Sequence, residues 1–138
     1  MTQEDKELLL KDLCARLPYQ PQINIEFENM YGGGNMDSTL LKIDAEHYLI
    51  NDEPIGNVRP YLRPMSSMTE EEFVEYYNIK YDKVTSRDKW ERIDVGKYHN
   101  VGIIPIDEYL DWLNAHHFDY RGLIEKGLAI EAPEGMYS

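Results

Sequence analysis

The first stretch of the chain has the apolar spacing of a helix. Thr2 followed by Asp5 fits a capping box, in which a hydroxyl and a carboxylate each satisfy a backbone amide of the first turn. Pro18 cannot continue a helix because it lacks a backbone N–H. The pattern therefore predicts a helix over residues 3–16 with one apolar stripe. The stripe consists of Leu9, Leu10, Leu13, Cys14 and Leu17.

From residue 22 the pattern changes to the two-residue alternation of a strand. Residues 23–28 alternate between apolar and polar side chains, and Gly32–Gly34 then predicts a flexible turn. Two further extended runs, 39–43 and 47–50, are separated by few enough residues to form a hairpin.

A fourth extended segment spans residues 58–62. Pro60 and Pro64 disfavour a helix there and interrupt hydrogen bonding, so we expect this strand at the edge of a sheet. Together the four segments predict a small antiparallel sheet, or an SH3-like partial barrel, over residues 20–64.

Two amphipathic helices are predicted after the strands. Thr69 and Glu72 form a capping box ahead of a helix from about residue 70 to residue 80. A second helix is predicted after Pro105, with its apolar stripe facing the core and Trp112 between the faces. The stripe holds Ile106, Tyr109, Leu110 and Leu113, and the outward positions are Asp107, Glu108, Asp111 and Asn114.

The remaining segments are short. Gly122–Lys126 predicts one more helical turn that ends at Gly127, followed by an extended tail over Leu128–Ile130. Residues 82–104 fit a short helix and a strand. The predicted class is therefore α+β, with an N-terminal helix, a small sheet and two to three C-terminal helices. At 138 residues the chain has the size of one domain, which we expect to span residues 1–138.

The net charge of −12 restricts the expected partners. Residues 1–58 carry eleven acids and four bases, residues 59–104 carry eight of each, and residues 105–138 carry seven acids and two bases. Such a charge repels phosphate backbones and anionic lipids, so we expect no direct nucleic-acid binding and no membrane association. The acidic, polar start lacks the pattern of a signal peptide, and a single cysteine suits a reducing compartment. These features predict a cytoplasmic protein.

The segment from His116 to Arg121 holds the densest group of chemically versatile side chains. Adjacent helical residues point about 100° apart, so His116 and His117 cannot both bind one ion while the helix continues. We favour a structural role, in which His117 packs at the helix end while Asp119 and Arg121 pair or cap the next turn. The alternative is a small hydrolase or a metal-dependent enzyme that uses these residues.

Arg59, Tyr61 and Arg63 have the character of a recognition surface. Two guanidinium groups flank an aromatic ring on a backbone that prolines keep from pairing fully, and such an edge could hold an acidic or extended peptide. The competing interpretation is that the arginines pair with neighbouring acids while the prolines protect the edge from aggregation. Trp112 is a further candidate, since aromatics anchor many interfaces. For this residue we favour the alternative interpretation, that it is a packing residue of the core.

Other catalytic patterns are missing from the sequence. Cys14 lies on the leucine stripe, where a thiol is usually buried and inert. Gly32–Gly34 lacks the Lys-Ser/Thr that follows in a phosphate-binding loop. Glu70–Glu72 are consecutive at a helix start, where they suit the helix dipole better than a calcium ion. We therefore predict no catalytic residues, no metal ion and no cofactor.

Three stretches carry a resemblance to a known family. They are LCARLPY at residues 13–19, YLRPMSSMTEEE at residues 61–72 and DWLNAHHFDYRGLI at residues 111–124. These motifs resemble an uncharacterised family of short acidic proteins of bacteria and their mobile elements, which has no assigned activity. The resemblance implies a single intact domain and implies no catalytic residues.

The sequence fits best a non-enzymatic interaction or accessory protein whose partner is another protein, with self-association left open. The enzyme centred on the segment His116–Arg121 is the first alternative. An acidic mimic of nucleic acid, which presents carboxylates where phosphates would lie, is the second.

Overall fold

The computed structural model describes residues 1–29, 32–85 and 106–137. These residues group into two compact units, Met1–Met65 with His117–Ser138, and Ser66–His116. The predicted α+β class is confirmed, and the prediction of one domain stays a prediction. Most of the segment predicted as a short helix and a strand lies outside the described residues.

The first helix, α1 (Gln3–Arg16), has the predicted bounds and the predicted capping box. Its buried positions recur at helical spacing and include two charged residues, Asp12 and Arg16, beside Leu9 and Leu13. The prediction that Cys14 is buried is wrong, because the inward face of α1 passes through Asp12 and Arg16 and leaves the thiol exposed.

The described strands of the first unit divide between two sheets. They are β1 (Gln22–Asn29), β2 (Gly32–Thr39), β3 (Ile43–Asp44), β4 (Leu49–Ile50), β5 (Glu53–Pro54), β6 (Val58–Pro64), β7 (Phe118–Asp119) and β8 (Ile130–Glu131). In the larger sheet β2 pairs with β1 and β1 pairs with β6, both antiparallel, while β7 and β8 run parallel to β6. The smaller sheet is antiparallel in the order β3-β4-β5, so the predicted hairpin is present, with strands shorter than the predicted runs 39–43 and 47–50.

The predicted turn at Gly32–Gly34 is wrong, because these glycines begin β2. Gly34 lies opposite Phe27 in the hairpin, and a Cβ atom at position 34 would be only 3.0 Å from Phe27 Cζ. The aromatic ring thus covers the glycine across the strand pair, a recognised way of supporting glycine in a sheet.

The predicted edge position of the fourth strand is also wrong. The N–H of Arg63 donates to the carbonyl of His117, and the carbonyl of Leu62 accepts from Ala132 N–H. Those two groups belong to one peptide unit and point in opposite directions, so β6 has a partner on both edges. Its prolines therefore lie in a central strand.

The core of the first unit lies between α1, the sheets and the C-terminal turns. Its members are contributed by segments far apart in sequence, which closes the unit around one apolar cluster. The cluster consists of Leu9, Leu13, Ile23, Ile25, Leu40, Ile50, Ile55, Val58, Leu62, Leu123, Leu128 and Ala129.

The second unit contains α2 (Glu70–Thr85) and α3 (Ile106–Ala115), which pack against each other. The capping box of α2 is present, because Glu72 N–H donates to Thr69 Oγ1 and Thr69 N–H donates to the Glu72 carboxylate. In α3 the predicted outward position of Asn114 is wrong, since this side chain is buried.

Candidate functional site

The segment predicted as a possible active site instead joins a buried ion-pair cluster. Asp12 accepts from Arg16 Nε at 2.7 Å through Oδ2 and from Arg121 Nε at 3.1 Å through Oδ1. Arg16 also donates through Nη2 to the carbonyl of Phe118 at 2.7 Å. The side chains of Asp12 and Arg16 are fully buried. The cluster therefore ties α1 to the C-terminal segment.

Asp119 has the capping role that the sequence predicts for it. Its two carboxylate oxygens accept the backbone N–H groups of Leu123 and Ile124, each at 2.9 Å. These amides begin the turn that follows, so the carboxylate satisfies donors that would otherwise have no partner in the backbone. With both oxygens engaged and the side chain buried, Asp119 serves the local fold.

The two adjacent histidines make separate aromatic contacts. His116 stacks on Trp112 with ring centroids 4.0 Å apart, and its Nδ1 donates to the Trp112 carbonyl at 2.9 Å. His117 stacks on Tyr137 with centroids 3.8 Å apart, in a left-handed backbone conformation that ends the helical run. Within the described residues, no group of three or more His, Cys, Asp or Glu side chains is arranged to hold a metal ion.

Tyr137 bridges two strands where their direct pairing stops. Its hydroxyl accepts from Gln22 N–H at 2.9 Å and donates to the Tyr61 carbonyl at 2.8 Å. Burial raises the pKa of this phenol to about 12. The C-terminal segment is thereby fixed to β1 and β6.

Trp112 is buried in the second unit, as its core interpretation requires. Its indole Nε1 donates to Glu75 of α2 at 2.9 Å, and its ring lies 5.7 Å from that of Tyr76. Only 8% of the residue is exposed. Trp112 therefore contributes to the packing of α2 on α3.

The three candidate side chains of the predicted recognition segment 59–63 contact neighbouring side chains of the protein. Arg59 pairs with Glu26 of β1, as the competing interpretation expected. The guanidinium carbon of Arg63 lies 4.2 Å from the centroid of the Phe118 ring, a cation–π arrangement. Tyr61 donates its hydroxyl to Asp37 Oδ1 at 2.6 Å.

The hydrogen bond from Tyr61 belongs to a polar network on the sheet. Asn24, which is buried, donates through Nδ2 to Asp37 Oδ1 at 3.0 Å and to Asn35 Oδ1 at 3.2 Å. The hydroxyl of Tyr61 and then the amide of Asn24 hold the pKa of Asp37 below its usual value. Asp37 is therefore an exposed carboxylate that is ionised at neutral pH.

The outer side of β2 is the site that the sequence did not predict. Among the described residues β2 pairs with β1 alone. Just past the hairpin Leu40 N–H donates to the carbonyl of Pro21 at 2.9 Å, and backbone groups of alternate residues point to opposite edges. The odd-numbered residues Gly33, Asn35 and Asp37 therefore direct their N–H and C=O groups away from β1.

The carbonyl of Thr39 agrees with this assignment, since it accepts from Asn51 Nδ2 at 2.7 Å and Asn51 lies outside the hairpin. Residues 32, 33 and 35–37 are exposed along the same strand. These three outward-facing positions have no strand partner among the described residues. Such positions on an exposed strand are a template for a further strand.

An open pocket of about 740 Å³ lies at the far end of the hairpin. It combines a carboxylate, an aromatic ring and carboxamides beside the glycines of β2. The lining residues are Glu26, Phe27, Gly33, Gly34, Asn35 and Asn57.

Comparisons of the chain with family models, with curated proteins and with solved structures find no match. No helix within residues 1–29, 32–85 and 106–137 has the length and apolar character to cross a membrane.

Proposed function

We propose that this protein is a non-enzymatic protein-binding module that takes up an extended segment of a partner protein along the outer edge of β2. The observation that carries the proposal is the direction of the backbone groups of Gly33, Asn35 and Asp37, which point away from β1 on an exposed strand. Strand addition to such an edge is a common mode of peptide recognition, in which main-chain hydrogen bonds supply affinity.

The composition of β2 supports this role. The strand has no proline and one charged residue, Asp37, whereas unused sheet edges are commonly blocked by prolines, lysines or bulges. Its register with β1 runs without interruption over all eight residues. At the start of the strand no atom beyond the adjacent residues lies within 4 Å of where a Cβ of Gly32 would be, which permits close approach of another chain.

The alternatives have weaker support. A hydrolase or metal enzyme would need the side chains of His116–Arg121 to converge on a substrate, but Asp119 caps a turn and Arg121 pairs with Asp12. The nucleic-acid mimic rests on the net charge of −12 alone, whereas strand addition rests on the outward backbone groups of β2.

Peptide selection tests the proposal. Random octapeptides displayed on phage are selected on the wild-type protein, and the affinities of the selected peptides are measured for Asn35→Pro and Asn35→Ala. Proline removes the outward N–H and is tolerated at an edge when that group faces solvent. Alanine removes the same side chain and keeps the N–H.

We expect Asn35→Pro to lose binding and Asn35→Ala to retain most of it, with both variants folded as judged by circular dichroism. Selected peptides that bind Asn35→Pro as tightly as wild type would contradict the proposal, and so would a selection that yields no binding peptide.

A further inference from the structure

The two faces of β2 present different chemistry beside its outer edge. On one face Tyr61 and Asn24 both donate to Oδ1 of Asp37, while Oδ2 accepts no hydrogen bond from the described residues. The carboxylate is thus held in one orientation with its second oxygen available. A cationic side chain on an added strand could reach this oxygen, because directly opposite side chains in a sheet are close neighbours.

The other face carries exposed apolar side chains. Phe27 and Met36 are 37% and 52% exposed, and the register places both on the face shared with Ile23 and Ile25. The ring of Phe27 extends over Gly34 of β2, since a Cβ atom placed at position 34 would lie only 3.0 Å from Phe27 Cζ. A residue of β1 therefore brings apolar surface across β2, toward the edge where an added strand would lie.

We propose that the edge of β2 selects an extended segment in which cationic and apolar side chains alternate, an inference that rests on the proposed function. The cationic residue would lie beside Asp37, and the apolar residues would pack on Phe27 and Met36. Side chains of a strand alternate between its two faces, so a segment that satisfies both faces has this two-residue period. A partner of this composition is also attracted by the net charge of −12, whereas a second copy of the chain is repelled.

Four synthetic octapeptides with blocked ends serve as probes. In each peptide two residue types alternate along the sequence. The four combinations are lysine with valine, glutamate with valine, threonine with valine, and lysine with serine. Each is titrated into isotopically labelled protein, and the backbone amide signals of Asn35 and Asp37 report binding at the edge. The same titration is repeated on Asp37→Asn and Met36→Ser, with Glu125→Gln and Leu41→Ser as matched controls. Glu125 and Leu41 are exposed and lie outside β2.

We expect the lysine–valine peptide to bind at least about tenfold more tightly than the glutamate–valine peptide, because like charges across an interface are strongly unfavourable. Asp37→Asn should weaken the lysine–valine peptide by up to about fivefold, the range of one cross-strand charge pair, and leave the threonine–valine peptide unchanged. Met36→Ser should reduce the difference in affinity between the lysine–valine peptide and the lysine–serine peptide. The two control variants should bind like wild type.

The outcomes separate the two proposals. Equal binding of all four peptides at Asn35 and Asp37 would overturn the selectivity and leave strand addition standing. Effects of Glu125→Gln equal to those of Asp37→Asn would also overturn it, because the attraction would then be non-specific. If no peptide perturbs these amides, both the selectivity and the proposed function are wrong. A rise in molecular mass without peptide would assign the edge to a second copy of the chain.

Discussion

Arg16 donates its Nε to Asp12 Oδ2 at 2.7 Å, one helical turn earlier in α1, and both side chains are fully buried. Burying two charges is costly unless geometry and further hydrogen bonds compensate for lost hydration. Here Arg121 supplies a second donor to Asp12, and the carbonyl of Phe118 accepts from Arg16. The pair therefore joins α1 to the C-terminal segment.

Removing one member of this pair should destabilise the first unit strongly. We expect Asp12→Ala to lower the free energy of unfolding by about 3–5 kcal/mol, since two guanidinium groups lose their common carboxylate. The double variant Asp12→Leu with Arg16→Met should lose less unfolding free energy than the sum of the losses in Asp12→Leu alone and in Arg16→Met alone. Urea unfolding of the four proteins in the cycle measures this coupling, and additive losses would show that the two side chains do not stabilise each other.

Ionisation of the Tyr137 hydroxyl should lower the stability of the folded protein at alkaline pH. The folded state raises its pKa to about 12, above the usual value of about 10. This phenol therefore contributes stability that is fully present below about pH 10 and is lost as the pH rises toward the folded value. Tyr137→Phe should be less stable by about 1–3 kcal/mol at neutral pH, because Gln22 N–H and the Tyr61 carbonyl lose their common partner.

The measurement is the difference in unfolding free energy between wild type and Tyr137→Phe across that pH range. The difference should shrink as the pH rises, and a gap that stays constant would contradict the role assigned to the hydroxyl. Comparing the two proteins at each pH cancels the contribution of the other ten tyrosines.

The helices and their caps could be predicted from the sequence because they depend on neighbouring residues. Thr2 and Asp5 lie within one turn, and so do Thr69 and Glu72. The ends of α1 and the start of α3 follow from the same local information. The inward orientation of Asp12 and Arg16 could not be predicted, since it depends on a partner, Arg121, that lies 109 residues from Asp12.

The strands were predicted less well because pairing is non-local. Pro60 indicates an edge when only its own strand is considered, yet β6 receives β7 and β8 from the C-terminal segment. Gly32–Gly34 indicates a turn until Phe27 is placed across the hairpin. The open edge of β2 was missed for the same reason, and the only sequence signal is the absence of the usual protective residues.

Trp112 tests the packing of the second unit. Trp112→Ala should lower the free energy of unfolding by about 3–5 kcal/mol, the usual cost of removing a buried large aromatic. Trp112→Phe is the matched variant, because it keeps a ring against Tyr76 and loses only the donor to Glu75. Far-ultraviolet circular dichroism follows unfolding without relying on tryptophan fluorescence. An alanine variant with an unchanged midpoint would exclude a core role.

The polar network on the sheet should be visible in the titration of Asp37. The hydroxyl of Tyr61 and the amide of Asn24 lower the pKa of this carboxyl, so its stabilising contribution is present above the usual pKa and is lost as the pH falls through the lowered value. Tyr61→Phe should raise the pKa toward that of a solvated aspartate. The pKa of Asp37 is measured in both proteins from the pH dependence of its carboxyl carbon chemical shift. An unchanged pKa in Tyr61→Phe would contradict the network.

Amide hydrogen exchange can show whether the outer edge of β2 is open and accepts a strand. In the free protein the outward amides of Asn35 and Asp37 should exchange rapidly, while the inward amides of Met36 and Ser38 exchange slowly. Addition of a selected peptide should slow the outward amides and leave the inward ones unchanged. Outward amides that are already protected in the free protein would show that the edge is closed, and outward amides that stay unprotected with bound peptide would show that the peptide binds elsewhere.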